Sequence, residues 1–365
     1  MKLAVVGGIF GFPEGYRDAV RWTTETILVD EMRRRGHHVD ALGHSPRLDM
    51  SAYDIVHVHH LSWGSVAAST DRGTTPFTFT LHATRPAYPR AAPFVMARAD
   101  GIVALWPGQA DAFARTYRTC GAALTVIPNG VDPNTFRYRP RRPPGSGPWR
   151  LLYVGQLIPA KGVDLLVRTL PELRRRHRIR LDLAYHVAID EDRLRALVAD
   201  LGVDDMVRFV GRTSQAELGS LYQDAHIVVL PSTGQHEALP SVLTEAMFAG
   251  ALPVATDIGG IADQISPFGI VVPPGERGAL EAGIEDAIQT YGDHCARAQE
   301  MSAAAMRRFS IASMVDAHER HYEALVAEEG GPRRRAPSRR LGTLVGGPAL
   351  TVRRWVKPPR EPAVE

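Results

Sequence analysis

Short apolar runs alternate with helix-period stretches along this chain, and the alternation happens twice. In the first half, Lys2–Val6, Val39–Leu42, Ile55–His59, Thr78–Leu81, Gly101–Leu105 and Leu124–Pro128 read as strands, with helices such as Arg17–Arg34 and Gly108–Tyr117 between them. Strand, helix, strand repeated in this way gives parallel sheets covered on both faces. Residues 138–150, YRPRRPPGSGPWR, interrupt the pattern with the composition of a linker. It then resumes with strands at Leu151–Val154, Leu181–Ala184, Val207–Phe209, Ile227–Leu230, Leu252–Ala255 and Gly269–Val272, and with helices including Val163–Arg175 and Glu191–Leu201. The expected fold class is α/β: two Rossmann-like, doubly wound parallel-sheet domains facing across a cleft. Ligands bind at the carboxyl edges of such sheets.

Bulk properties exclude several classes of function. The 365 residues, 44% hydrophobic and 23% charged, suit a large globular core. A formal net charge of +3 is too small to argue for nucleic acid. Cys120 and Cys295 lie far apart, in no metal-ligand spacing, which fits a reducing compartment without a disulfide framework. MKLAVVGG reads as a first strand running into glycine rather than a leader. No stretch reaches the roughly 18 uninterrupted apolar residues of a membrane span. The expected location is the cytoplasm.

Two glutamates eight positions apart, Glu237 and Glu245, stand in HEALPSVLTEAMFAGALPVATDIGG. Pro240 suits the first turn of a helix and Gly250 its end. Glu237 then lies on the loop entering that helix, where the amides of Ala238, Leu239 and Ser241 make an anion or hydroxyl site. Glu245, one turn inside, fits either a ribose diol or a local arginine or amide partner. In LLYVGQLIPAKGVDLLVRTL, Lys161 stands between a strand end and a helix start, and fits either an exposed lysine or a cation facing a leaving diphosphate. His82 ends an apolar strand, as a core histidine or a group at the cleft edge. The loop after the first strand carries Gly7, Gly8, Gly11 and Gly15, which admits close backbone approach, but it spells neither the dinucleotide fingerprint nor a P-loop. HVHH puts His57 and His59 on one strand face without implying a metal, and the acidic residues 190–192 read as a helix start.

In order, RRGHHV, DIVHVH, IPNGVD, YVGQLIPAKG, FVGRTSQAEL, the Glu237–Glu245 segment, GIVVPPG and FSIASMVDAHERHYEAL resemble glycosyltransferase family 4, retaining enzymes of the GT-B fold. The resemblance covers about residues 1–327 and is strongest from Ile127 to Gly275. It implies an acceptor domain at 1–145, a nucleotide-sugar domain at 149–305, and helices at about 306–327 crossing back onto the first domain, with residues 138–150 as one hinge. It implies hexosyl transfer from a nucleotide diphosphate sugar, with UDP-sugars the commoner donors, to a hydroxyl of a small molecule, glycan or lipid-linked acceptor. His82, Lys161 and Glu237 would be catalytic. Gly15, Gln156, Lys161, Arg212, Glu237, Ala238, Leu239 and Glu245 would bind the donor, Lys161 at the diphosphate, Glu237 at the sugar and Glu245 at the ribose. No cofactor or metal is expected for the chemistry, and no nucleic acid.

The chain departs from the family pattern at Gln156, where arginine is usual, so one of two diphosphate cations is replaced by a neutral donor. That departure keeps open a non-catalytic, nucleotide-sugar-binding relative of the same fold. Residues 328–365 carry nine Lys/Arg beyond residue 331 around Leu341, Val345, Leu350 and Trp355, and read as a basic, disordered tail or a weak membrane-surface contact.

Overall fold

Strand edges in this molecule converge on two crevices, and the sheet orders explain why. A computed structural model describes residues 1–13, 23–43, 49–59, 74–82, 98–116, 122–234 and 237–328. The first half supplies β1 (Lys2–Val6), α1 (Thr24–Arg34), β2 (His38–Leu42), β3 (Ile55–His59), β4 (Phe77–Thr80), β5 (Gly101–Ala104), α2 (Pro107–Thr116) and β6 (Ala123–Val126). The second supplies β7 (Trp149–Val154), α3 (Val163–Val167), α4 (Leu170–Arg174), β8 (Ile179–Ala184), α5 (Glu191–Asp200), β9 (Val207–Gly211), α6 (Gln215–Asp224), β10 (Ile227–Leu230), α7 (Ser241–Ala249), β11 (Leu252–Thr256), α8 (Ile261–Ile265), β12 (Ile270–Val272), α9 (Arg277–Gln289) and α10 (Tyr291–Phe309), before α11 (Ile311–Ala327). The expected helix over Val163–Arg175 divides into α3 and α4, with Pro171 in the first turn of the second piece. The first part of the expected helix over Arg17–Arg34, like the basic tail, lies outside the described residues.

Both sheets have six strands, in the orders β2-β1-β3-β4-β5-β6 and β12-β11-β10-β7-β8-β9, and every pair is parallel. This is the GT-B arrangement of two Rossmann-like units. In each sheet the winding reverses once, between β1 and β3 and between β7 and β10. Loops leaving two such neighbours diverge to opposite faces, so a crevice opens at their carboxyl ends. The strands between hold the core: Leu3, Val5, Val56, Val58, Phe77 and Phe79 in the first sheet and Leu151, Leu181, Leu183, Val228 and Val254 in the second are essentially inaccessible. No described helix is long and apolar enough to cross a membrane.

The two units are joined by paired passages. The chain leaves the first sheet through Ile127–Phe136 and returns at Phe309–Ile311, and the two runs bond to each other: Val131 N–H to Phe309 O at 2.9 Å and Ile311 N–H to Val131 O at 3.1 Å. A Cβ at Gly130 would sit 2.8 Å from the Ile311 Cα, so IPNGVD is where the outgoing chain presses against the returning one. Beyond it, α11 packs Met314, Val315, Tyr322 and Leu325 among Leu3, Val5, Leu28 and Ile55 of the first unit.

Residues 138–150, expected as a hinge, bond to the second unit. Arg141 is 9% exposed and donates to the carbonyls of Gln223 (2.8 Å), Ala225 (2.6 Å), Tyr222 (3.1 Å) and Ala249. Those are carbonyls left open at the ends of α6 and α7. The segment is therefore fastened to the second unit.

Candidate functional site

The second crevice is built by two loops forced into contact. The loop after β7 turns through Gly162 at φ +65°, and a Cβ there would lie 2.1 Å from the carbonyl oxygen of Pro231, just after β10. Only glycine fits both the left-handed backbone and that approach. The contact is extended by Thr233 and Gly234, whose amides donate to the Ala160 carbonyl at 2.9 and 3.0 Å. Lys161, held between these anchors, forms an ion pair with Glu237. The same Glu237 oxygen accepts from the Ser232 hydroxyl at 2.6 Å. Ser232 is fully buried and Glu237 is 7% exposed, while the lysine remains partly open. A carboxylate and an ammonium 76 residues apart in sequence thus meet at the winding reversal.

Past Glu237, the amides of Ala238 and Leu239 find no acceptor among the described residues, and Ala238 instead accepts from Gly260 N–H at 2.8 Å. The helix α7 begins at Ser241 with Pro240 as its cap residue, so Pro240 stands one place earlier than a first-turn proline. Its open N-terminus carries partial positive charge. Glu245, one turn in, accepts from the Tyr222 hydroxyl at 2.7 Å, with Ser241 as a second donor. Burial of its carboxyl group raises its pKa above the usual range, and the two hydrogen bonds only partly oppose that. Its immediate protein partner is thus a tyrosine rather than an arginine.

Gln156 lies in the loop after β7, where its carbonyl accepts from Tyr153 Oη at 2.7 Å; its side chain makes no hydrogen bond to a described residue. Arg212 is exposed beyond β9, the edge strand, two strands away from β7. Gly15 lies outside the described residues, and Gly11 ends a short turn after β1 beside Gly43.

His82 belongs to the other crevice. It stands two residues beyond β4, and its Nε2 is 2.9 Å from Nδ1 of His59 at the end of β3. Glu25 on α1 completes a group whose ligand atoms lie within 4.8 Å of one another, a set with the donor types that a divalent ion uses. Between the two edges lies a cavity of about 530 Å³, lined by Trp106, Gln109 and Ala112 from the first unit and Thr233, Asp257 and Asp263 from the second. Gln109 ties this wall to the His82 strand by donating to Leu81 O at 3.2 Å. The structure therefore brings Lys161 and Glu237 into contact, places Glu245 one turn farther along the same segment, and sets His82 on the opposing sheet.

Sequence reasoning overlooked Ser232 and Tyr222, and placed His59 on a strand face without linking it to His82. Ser232 follows the apolar run IVVLP and carried no signal beyond being polar at a strand end. Tyr222 sits in the apolar register of α6, where an aromatic reads as core.

Comparison with known proteins follows the same division of the chain. Residues 135–307 match the family model described as Glycosyl transferases group 1, and residues 46–135 match Glycosyltransferase Family 4. A glycogen synthase from Mycobacterium tuberculosis is 30% identical over 219 residues, 60% of this chain and 51% of that protein, so the match spans about half the relative's length. Among solved structures, the sucrose-phosphate synthase from Thermosynechococcus elongatus superposes with a TM-score of 0.71 at 18% identity, covering 90% of this chain and 99% of that one. Anabaena HepE in complex with UDP gives 0.72 at 18% identity, covering 89% and 100%. At that identity the two structures establish the fold.

Proposed function

The chain belongs to the group 1 and family 4 glycosyltransferases, and from that premise we propose that it moves a hexosyl group from a nucleotide diphosphate sugar to an acceptor hydroxyl with retention at the anomeric carbon. The observation that carries this reading is the Lys161–Glu237 pair at the β7/β10 reversal, beside unpartnered helix-entry amides. UDP is the preferred carrier, in keeping with HepE, which was solved with UDP and with UDP-glucose.

In the free protein the ammonium and carboxylate neutralise each other, which holds both at the crevice floor without an isolated buried charge. An arriving diphosphate offers Lys161 a stronger partner, and the amides of Ala238 and Leu239 add donors at the positive end of α7. Glu237, released on one side but still held by Ser232, turns its free lone pairs to the sugar hydroxyls. Glu245, steadied by Tyr222, accepts from the ribose diol. His82 approaches the sugar from the opposing sheet. The acceptor oxygen bonds to the anomeric carbon as the bond to the phosphate oxygen breaks. The electron pair leaves with the diphosphate, which also takes the acceptor's proton. Gln156 contributes a neutral donor where a second cation would share the charge. No step here draws on a metal.

The test is incubation with UDP-, GDP-, ADP- and TDP-sugars, with and without hydroxyl acceptors, followed by nucleoside diphosphate release. Acceptor-dependent release that Lys161→Ala abolishes, in a protein that still folds, is the expected result. Binding without release would instead support the non-catalytic relative that Gln156 brings to mind, and unchanged turnover in Lys161→Ala would remove the lysine from the mechanism.

A further inference from the structure

A second cleft opens at the opposite end of the second sheet. Its volume is about 520 Å³, and its lining includes Arg139, Arg141, Arg142, Arg150, Asp224 and His226. Arg150 is the second residue of β7 and His226 just precedes β10, so the cleft sits at the amino ends of strands whose carboxyl ends form the crevice described above. Six residues of β7, at about 3.3 Å each, separate the two by roughly 20 Å.

Its charge is unbalanced. Arg139 and Arg150 share one carboxylate, Asp224, at 2.8 and 3.3 Å. Arg142 is exposed and has no hydrogen bond or ion pair with a described residue. Arg141 faces only backbone carbonyls, and its Nε has no partner. Each of the two helix ends it caps contributes roughly half a negative charge. With Asp224 and both helix ends counted against four guanidinium groups, about two positive charges remain.

We infer that this cleft binds a small phosphate monoester, with the phosphate on Arg142, Arg139 and Arg150 and its organic part along the walls formed by Pro140, Pro144 and Pro148. A monoester carries about −1.5 to −2 charges at neutral pH, which matches the excess. Guanidinium forks pair with phosphate oxygens two at a time. The volume exceeds what a bare phosphate fills and falls in the range of small-molecule sites. Such a ligand would bridge residues 139–150 to the end of α6 and the start of β10, and so tighten the anchorage that Arg141 begins.

The test is calorimetric titration of the full chain with glucose 6-phosphate, inorganic phosphate and glucose, in the wild type and in Lys161→Ala. One-to-one binding of the sugar ester, weaker binding of phosphate and none of glucose is expected. Lys161→Ala should leave these values unchanged, because the crevice of the proposed reaction lies at the other edge. Arg142→Gln, at an exposed side chain, should weaken ester binding by about tenfold, the loss of one charge-assisted hydrogen bond. Asp224→Asn should tighten it, since it removes the one carboxylate among the described residues that line the cleft. Absence of saturable binding, equal affinity for free phosphate, indifference to both substitutions, or loss of binding in Lys161→Ala would each overturn the inference. The last would place the anion in the other crevice and leave the proposed reaction untouched.

Discussion

Acid should unseat the last helix from the first sheet. On α11, His318 and His321 face inward: His321 bonds to Thr78 Oγ1 at 2.9 Å and Thr125 Oγ1 at 3.1 Å, and His318 Nδ1 to the Met314 carbonyl at 2.9 Å. His57, from β3, lies against them and bonds to Tyr322 Oη at 2.5 Å and Thr80 Oγ1 at 2.7 Å. Burial pulls the pKa of both α11 histidines down to about 4 and that of His57 well below its ordinary value. An unfolded histidine titrates near 6.5, so between those values the unfolded chain binds more protons, and stability that is whole above pH 6.5 falls as the pH drops toward 4. At pH 5 each of the two groups costs about 2 kcal/mol, together about 4, a large part of an ordinary folding free energy. Urea denaturation at pH 7.5 and pH 5.0 measures the loss. In the double variant His318→Leu, His321→Gln, the difference between the two pH values should shrink by roughly 4 kcal/mol, whatever the variant's absolute stability. An undiminished pH difference in that variant would refute the assignment of the acid loss to α11.

Other substitutions test the crevice. Gly162→Ala forces a Cβ against Pro231 and strains a left-handed backbone, so it should lower the melting temperature by a few degrees and cut turnover far more, because Lys161 moves with the loop. A wild-type melt would show that the contact yields easily. Tyr222→Phe removes a buried donor from Glu245 and should cost about 1–3 kcal/mol in stability. Both Tyr222→Phe and Glu245→Ala should raise the donor KM much more than the acceptor KM; equal changes in steady-state kinetics would contradict the ribose assignment.

The strands were readable because parallel strands covered on both faces are largely apolar: Lys2–Val6, Ile55–His59 and Ile227–Leu230 fall where expected. Most other boundaries shift by a residue or two, as for β5, which ends at Ala104 rather than Leu105. The candidate residues were readable only through ordered motifs. Their meeting was not, because Lys161 reaches Glu237 through the approach of two loops, and no local pattern encodes the 2.1 Å constraint at Gly162. Arg141 shows the opposite failure. A proline- and arginine-rich stretch has linker composition, yet one guanidinium that caps two helices makes it part of a domain. IPNGVD, one of the ordered motifs, is the seam between two interdomain passages.

That seam has a consequence for how the chain assembles as it is made. The first sheet is synthesised first, but Leu3, Val5 and Ile55, flanked by Leu28, Val29 and Met32 of α1, stay only partly covered until Met314, Val315 and Tyr322 arrive more than 250 residues later. The second sheet and its helices, contiguous from residue 149 to 309, take their remaining contacts mostly from the short passage just before them, through Val131, Phe136 and Arg141, with Leu105 and Trp106 added from the first unit. During elongation the later-made half can therefore reach its native packing first, while the earlier-made half waits on the ribosome with an apolar flank exposed, the kind of surface that chaperones cover.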